Sequence, residues 1–165
     1  MKVNDVMTHA PQTSRPGDSI AAAVQIMWDH DCGCVPVLDE DGRLAGILTD
    51  RDACMSALHQ GRPLHELLVA NAMSRDVVVC RPHDAIEDAM ILMRRARVRR
   101  LPVVDRERRV VGILSLNDVA RAAEREARGW FSSPRLKDVG RTFAEVSRPW
   151  PRPALPARSD AAYAE

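Results

Sequence analysis

The fold of this chain is decided by a seven-residue stretch that occurs twice: Gly-Ile-Leu-Thr-Asp-Arg-Asp at residues 46–52 and Gly-Ile-Leu-Ser-Leu-Asn-Asp at residues 112–118. The copies are 66 residues apart, and the same offset aligns other motifs without a gap. The further matches are Met7 with Met73, Pro16 with Pro82, Asp18 with Asp84, and Val35-Pro36-Val37 with Leu101-Pro102-Val103. Such a repeat predicts two copies of one unit that pack about a pseudo-two-fold axis, with a ligand cleft between them.

The composition is typical of a folded protein with an aliphatic core. The 165 residues are 45% hydrophobic but only 4% aromatic. A formal net charge of +1 argues against strong attraction to nucleic acid. No apolar run reaches the roughly 18 residues of a membrane span. The polar N-terminus has no apolar signal region, so we expect a cytoplasmic protein that does not bind the membrane.

Each copy carries the same order of secondary-structure signals. A short β-prone stretch, at residues 12–14 or 77–80, leads to a Pro-x-Asp turn in which Asp18 or Asp84 is predicted to cap a helix. Apolar residues at helical spacing follow, and then come two strands joined by a short turn and a closing helix. The predicted fold class is α/β, in the α+β sense: two β-α-β-β-α repeats, each with a small three-stranded sheet, packed about a pseudo-two-fold axis.

The repeats predict three segments in the chain. A copy of about 60 residues is marginal for an independent core, so we expect the copies to share one. The first repeat is assigned to residues 1–62, the second to residues 63–128, and a C-terminal extension to residues 129–165. The extension begins with a sparse helical stripe and becomes Pro-rich from Pro149, where we expect extended or flexible chain. The stripe residues are Leu136, Val139, Phe143 and Val146.

The order of these motifs resembles a tandem pair of CBS domains, often called a Bateman module. The resemblance covers about residues 1–125 and rests on Asp-Val-Met-Thr, Pro-x-Asp-x-Ile, hydrophobic-Pro-Val-hydrophobic-Asp and Gly-Ile-Leu-(Thr/Ser)-x-x-Asp. The chain also looks like the small stand-alone bacterial CBS proteins, including the mycobacterial hypoxic response type. The segment from Trp130 onward lies outside the family pattern.

The resemblance implies an adenosine ligand, because CBS pairs commonly bind AMP, ADP, ATP or S-adenosylmethionine between their repeats. Asp52 and Asp118 match the aspartate that binds the ribose hydroxyls, a task that suits the two oxygens of a carboxylate. Thr49 and Ser115 match the hydroxyl residue that contacts ribose or phosphate. Each begins a helix, and a helix N-terminus favours a phosphate.

The implied phosphate contacts differ between the copies. Arg51 is placed to reach a phosphate, whereas its counterpart Asn117 is a weaker partner. Arg99 and Arg100 offer cationic contacts where the first copy has residues 33–34, a Gly-Cys pair. The backbone expected to meet the adenine edge belongs to Val35, Pro36, Leu101 and Pro102. We therefore expect two similar clefts with different phosphate chemistry.

Other interpretations of these residues and of neighbouring motifs stay open. Asp, Thr and Ser at a helix start also serve simply as caps. The His30-x-Cys32-x-Cys34 stretch contains metal-ligand residue types without a standard zinc spacing, so no metal site is assigned. Redox sensing by a cysteine would require a lowered thiol pKa. The basic run at residues 94–100 fits a helix end better than a single-stranded nucleic-acid surface, which would carry aromatic residues.

Taken together, these patterns predict a regulatory module and not an enzyme. No Gly-x-Ser-x-Gly, His-Glu-x-x-His or Walker-type motif is present. We expect no required cofactor, an adenosine-containing small molecule as ligand, and a protein target that the sequence does not identify. We also expect a homodimer through the helices at residues 20–27 and 86–93 and the closing helices, with Trp130, Phe143 and Trp150 as further docking candidates. The alternative is a ligand-free structural, redox-responsive or metal-responsive stress adaptor.

Overall fold

The computed structural model describes residues 1–126 and 134–148, which form two units of the same design. The first unit contains β1 (Thr8–His9), α1 (Ile20–Asp29), β2 (Cys34–Leu38), β3 (Leu44–Thr49) and α2 (Asp50–Gln60). The second contains α3 (Ile86–Ala96), β4 (Arg100–Val104), β5 (Val110–Ser115) and α4 (Leu116–Glu126), and α5 (Leu136–Val146) follows it. The α+β class and the tandem units are as predicted. In the described part of the chain, no helix has the length and apolar character needed to cross a membrane.

The two long strands of each unit form the predicted antiparallel hairpin. Cys34 lies opposite Thr49 in the first hairpin, and Arg100 lies opposite Ser115 in the second. The first turn contains Gly42 at φ 76°, a left-handed conformation that glycine adopts without steric cost. The second turn places Arg108 at φ 63° in the corresponding position. The two hairpins therefore close in the same way although only one has a glycine.

The leading segment of each unit pairs with the sheet of the other unit. Thr8 in β1 lies opposite Ile113 in β5, and Ser74 bridges Ile47 in β3 at the corresponding place. The second sheet therefore has three strands in the order β1-β5-β4, whereas the first has only β2 and β3. The prediction of a three-stranded sheet within each repeat is wrong, because local patterns do not reveal which hairpin a leading segment will join.

The predicted strands at residues 12–14 and 77–80 are reduced to single bridges. Ser14 bridges Val37 and Cys80 bridges Val103, both in parallel orientation. Each segment reaches its Pro-x-Asp turn two residues later, so it cannot extend the pairing. A further bridge joins Arg43 to Arg109, which are themselves related by the 66-residue offset. This bridge lies on the pseudo-two-fold axis.

The buried side chains form two clusters and not the single shared core that we expected. The cluster of the first unit includes Leu67, Val69 and Met73 from the segment that leads into the second unit. The cluster of the second unit includes Val3 and Met7 from the N-terminus. Each core is thus completed by the leading segment of the other unit, which ties the two units together.

Asp18 and Asp84, predicted as helix caps, close the preceding turns instead. Their Oδ2 atoms accept the backbone N–H groups of Arg15 and Arg81, in both cases at 2.7 Å. Because each carboxylate is bonded to a residue before the helix, the cap of α1 passes to Ser19, whose hydroxyl accepts a backbone N–H of the first turn. Helix α3 begins without a side-chain cap.

Helix α5 packs on α3 and α4 of the second unit. Val139, Thr142 and Val146 form its buried face, and Thr142 Oγ1 accepts a hydrogen bond from Arg94 at 3.1 Å. Leu136 and Phe143 are each 57% exposed, so half of the predicted apolar stripe is wrong. The bond to Arg94 selects a rotation that buries the i, i+3, i+7 set beginning at Val139. The predicted Pro-rich tail, with Trp130 and Trp150, lies outside the described residues.

Candidate ligand-binding cleft

The second copy of the repeated motif holds a buried carboxylate at the start of α4. Asp118 Oδ2 accepts the backbone N–H of Ser115 at 2.8 Å and its hydroxyl at 2.6 Å. The Ser115 hydroxyl oxygen in turn accepts the Asp118 N–H at 3.2 Å. This reciprocal pair has the pattern of a capping box and explains why both residue types recur at this spacing. Asp118 is only 7% exposed, so its carboxylate is held in one orientation.

The other oxygen of the same carboxylate is also taken. Arg121, one turn further along α4, donates a guanidinium hydrogen bond to Asp118 Oδ1. The Arg121 side chain is 65% exposed, whereas its partner is buried. A buried carboxylate without a partner would be costly, and the pairing offsets part of that cost.

A cavity of about 520 Å³ opens beside this carboxylate. Two of its walls come from the first unit: residues 8–12, which include β1, and residues 30–34, which are the loop before β2 and the first residue of that strand. The second unit contributes Arg100, Ile113, Ser115, Asn117, Asp118 and Arg121. The volume lies within the range of small-molecule sites. The cavity is therefore an inter-unit cleft, which the exchange of β1 makes possible.

Gly33 gives room for Arg100 to reach across the loop before β2. A Cβ atom on Gly33 would lie 2.8 Å from Arg100 Nη2 and 2.8 Å from Asp50 Oδ2, closer than real Cβ contacts come. A side chain at position 33 would thus force the ends of the Arg100 and Asp50 side chains to move. The residue pairs 33–34 and 99–100 are equivalent in the two copies but differ in sequence. One residue of each pair, Gly33 and Arg100, meets the other at this point.

The cysteines divide into two buried and two exposed thiols. Burial raises the pKa of Cys34 to about 12, against a lowering influence of nearby Arg100, and burial raises the pKa of Cys80 to about 12. Such thiols stay protonated at neutral pH and do not have the lowered pKa that redox sensing requires. Cys32 and Cys54 are exposed, and Cys32 lines the cavity. Within residues 1–126 and 134–148, no group of three or more His, Cys, Asp or Glu side chains is arranged to hold a metal ion.

The first copy of the motif has the same cap but not the same arginine. Asp52 Oδ2 accepts the N–H of Thr49 at 3.0 Å and its hydroxyl at 2.7 Å. Met55 stands where the second copy has Arg121. No hydrogen bond within the described residues reaches Asp52 Oδ1. The two copies therefore present differently occupied carboxylates.

Of the predicted site residues, Arg100, Ser115, Asn117 and Asp118 line the cavity. Thr49, Arg51 and Asp52 lie together at the start of α2, outside this cavity, and Arg51 is exposed. The remaining predicted residues, Val35, Pro36, Arg99, Leu101 and Pro102, also lie outside its lining.

Hydrogen bonds within the chain occupy two of the backbone carbonyls predicted to meet the adenine edge, and also the carbonyl of Arg99, whose predicted contact was through its side chain. The Pro36 carbonyl accepts the N–H of Ser14 at 3.0 Å, and the Pro102 carbonyl accepts the N–H of Cys80 at 3.1 Å. The carbonyl of Arg99 accepts a backbone N–H at the start of α4 at 2.9 Å. These three carbonyl groups hold the hairpins and α4 in place beside the cleft.

Sequence reasoning missed three parts of the cleft: residues 8–12, residues 30–34 and Arg121. Residues 8–12 enter it through the exchange of β1, a long-range pairing with no local signature. Arg121 lies outside the repeated motif, but aligning it with Met55 at the 66-residue offset marks a charged residue on the helix that carries Asp118. Comparing the two copies at this position could therefore have indicated Arg121 from the sequence.

The fold and the cleft define the class of the protein. A model of the CBS domain matches the chain twice, at residues 3–58 and 69–125. The chain belongs to the CBS domain family, as a tandem pair.

Curated relatives share the pair in different contexts. The CBS domain-containing protein YhcV of Bacillus subtilis is 40% identical over 72% of this chain and 82% of its own length. The homoserine O-acetyltransferase of Methanohalobium evestigatum is 31% identical over 74% of this chain, but the match covers only 24% of that enzyme. The pair thus also occurs as a small part of larger proteins.

Three solved structures have the same fold. Hypoxic Response Protein I with two coordinated zinc ions is 30% identical, with a TM-score of 0.66 over 73% of this chain and 98% of that chain. The CBS pair of protein MJ0100, in complex with 5-methylthioadenosine and S-adenosyl-L-methionine, is 32% identical, with a TM-score of 0.65 over 73% and 94%. CBSX2 in complex with AMP is 28% identical, with a TM-score of 0.67 over 77% and 98%.

Proposed function

We propose that this chain is a regulatory CBS-pair module that binds an adenosine-containing ligand in the cleft beside Asp118. The observation that carries the proposal is the cavity of about 520 Å³ that opens onto a buried, oriented carboxylate at the start of α4. The ligands of the MJ0100 pair and of CBSX2 are adenosine compounds, which supports the same ligand class here.

The chemistry of the lining suits the two ends of such a ligand. A carboxylate accepts hydrogen bonds from both hydroxyls of a ribose, which is the role we assign to Asp118. The N-terminus of α4 and the guanidinium group of Arg100 favour a phosphate or another anion. We assign Thr49, Arg51 and Asp52 to a second cleft related by the pseudo-two-fold axis.

Regulation follows from the construction of the cleft out of both units. Residues 8–12 and 30–34 belong to the first unit, whereas Asp118 and Arg100 belong to the second. A ligand that contacts both sides stabilises one relative arrangement of the units over another, and only such a difference in affinity produces a switch. The module then acts on a protein target and not by catalysis.

We further propose that a second copy of the chain packs on the face formed by α1 and α2. Trp28 on α1 is 81% exposed and Leu58 on α2 is 68% exposed. At the 66-residue offset Trp28 corresponds to Arg94, the residue that bonds α5. Because α5 already covers α3 and α4, the α1–α2 face is the half of the expected dimer surface that the described residues leave open.

Calorimetric titration with AMP, ADP, ATP and S-adenosylmethionine tests the ligand-binding proposal. We expect saturable binding of at least one of them. If none of the four binds, the adenosine-sensing function is wrong and the ligand-free adaptor becomes the better account.

A further inference from the structure

We infer that Arg121 makes the Asp118 cleft selective for adenosine ligands that carry a phosphate, against adenosine compounds that are neutral or cationic. The inference rests on the proposed function and adds the charge class of the ligand. Its basis is the asymmetry between Arg121 and Met55 at equivalent positions of the two copies.

The chain itself occupies three of the roughly four acceptor sites of the Asp118 carboxylate. Ser115 donates two hydrogen bonds to Oδ2, and Arg121 donates to Oδ1. A ribose diol donates two hydrogen bonds, whereas Oδ1 has only one acceptor site left, so the diol must displace the guanidinium group from Oδ1. Displacement costs free energy, because the charge-assisted pair is stronger than a neutral hydrogen bond.

A phosphate on the ligand compensates for that displacement. Arg121 and Arg100 line the same cavity, so a phosphate bound there offers the displaced guanidinium group a new partner. Adenosine has no such group. S-adenosylmethionine offers a carboxylate, but its sulfonium and ammonium groups bring two positive charges toward Arg100 and the displaced Arg121, so it gains less than a phosphate does.

The first copy of the motif lacks this requirement. Asp52 carries the same hydroxyl partner, but Met55 cannot form an ion pair with it. Ribose can bind Asp52 Oδ1 without displacing a side chain of the described residues. The variant Arg121→Met therefore converts the second copy to the pattern of the first.

The test is titration of the wild type and of Arg121→Met with AMP, adenosine and S-adenosylmethionine. We expect the wild type to prefer AMP over adenosine by about tenfold or more, as expected for one charge-assisted contact. In Arg121→Met the affinity for AMP should fall while the affinity for adenosine rises, because Asp118 Oδ1 is released. Arg121→Lys should keep the preference for AMP, and Met55→Arg is the matched control at the other copy.

The opposite signs for the two ligands separate selectivity from loss of structure. A variant that is merely damaged loses affinity for AMP and adenosine together, and that result would overturn the inference. An unchanged ratio of the two affinities would overturn it as well. If the wild type binds none of the three compounds and no other adenine nucleotide, the proposed function itself fails and the selectivity fails with it. Melting temperatures of all variants confirm that they are folded during the titrations.

Discussion

Met7 lies directly against Gly112: its sulfur and two of its side-chain carbons surround the position that a Cβ on Gly112 would take. The relationship repeats at the offset of 66 residues, where Met73 lies against Gly46. Each methionine belongs to the leading segment of one unit, and each glycine belongs to the hairpin of the other. The two Met–Gly pairs therefore hold the exchanged segments in place.

Adding a methyl group at either glycine should destabilise the fold. A Cβ on Gly46 would lie 2.9 Å from Met73 Sδ and 2.9 Å from the backbone oxygen of Ser74. Since backbone yields less readily than a flexible methionine, we expect Gly46→Ala to cost more than Gly112→Ala, each within about 1–3 kcal/mol. Denaturant unfolding measures both.

Gly17→Ala is the matched control for these glycine variants. A Cβ at that position meets no atom within 4 Å, and its backbone is not in the left-handed region. Its unfolding free energy should stay within about 0.5 kcal/mol of the wild type. Equal stability of all three variants would contradict the proposed role of the Met–Gly pairs.

The two buried thiols should make the fold sensitive to alkaline pH. Burial raises the pKa of Cys34 and Cys80 from the ordinary value of 9.0 to about 12. Above about pH 9 the unfolded chain loses these protons while the folded protein keeps them, so stability falls as pH rises toward 12 and is intact below 9. Urea unfolding across this range measures the slope, which Cys80→Ala should flatten.

Cys54→Ala is the control for the pH dependence, since that thiol is exposed. Its slope should match that of the wild type. A slope that Cys80→Ala leaves unchanged would show that the buried thiol is not its source. In the native state at neutral pH, a thiol reagent should modify Cys32 and Cys54 well before Cys34 and Cys80.

The α1–α2 face should carry the dimer. Trp28→Arg places in the first unit the residue type that the second unit has at position 94, and a charged group there should break an apolar interface. We expect a dimer for the wild type and a monomer for Trp28→Arg in sedimentation equilibrium. Phe143→Arg, an exposed aromatic position on α5, should remain dimeric. Dissociation by Phe143→Arg but not by Trp28→Arg would place the interface on α5 instead.

Local patterns were sufficient to predict the hairpins, the helices and the capping motif. Thr49, Asp52, Ser115 and Asp118 lie at helix starts because their spacing satisfies backbone groups within one turn. The exchange of β1 was not predictable in this way, since Thr8 and Ile113 are brought together by packing across the axis. The prediction for Asp18 was wrong for a different reason: its carboxylate had two acceptable local partners and bonded the earlier one.

The candidate site was predictable in its centre and not at its edges. Asp118 and Ser115 were assigned through the resemblance of the repeated motif to CBS pairs, and both line the cavity. His30 and Cys32 line the cleft because the loop before β2 faces the other unit, which no spacing rule indicates. The role of Arg121 was not predictable from sequence either, because only the structure shows which oxygen of Asp118 the guanidinium group binds.

The most direct test of the central claim is the titration of AMP into three proteins: wild type, Asp118→Asn and Asp52→Asn. The amide keeps the size of the carboxylate while weakening its acceptance of ribose hydroxyls. Circular dichroism melting confirms that each variant is folded. We expect binding to the Asp118 cleft of the wild type, its loss in Asp118→Asn and its retention at that cleft in Asp52→Asn. AMP binding that Asp118→Asn leaves intact in affinity and stoichiometry would contradict the assignment of the cleft.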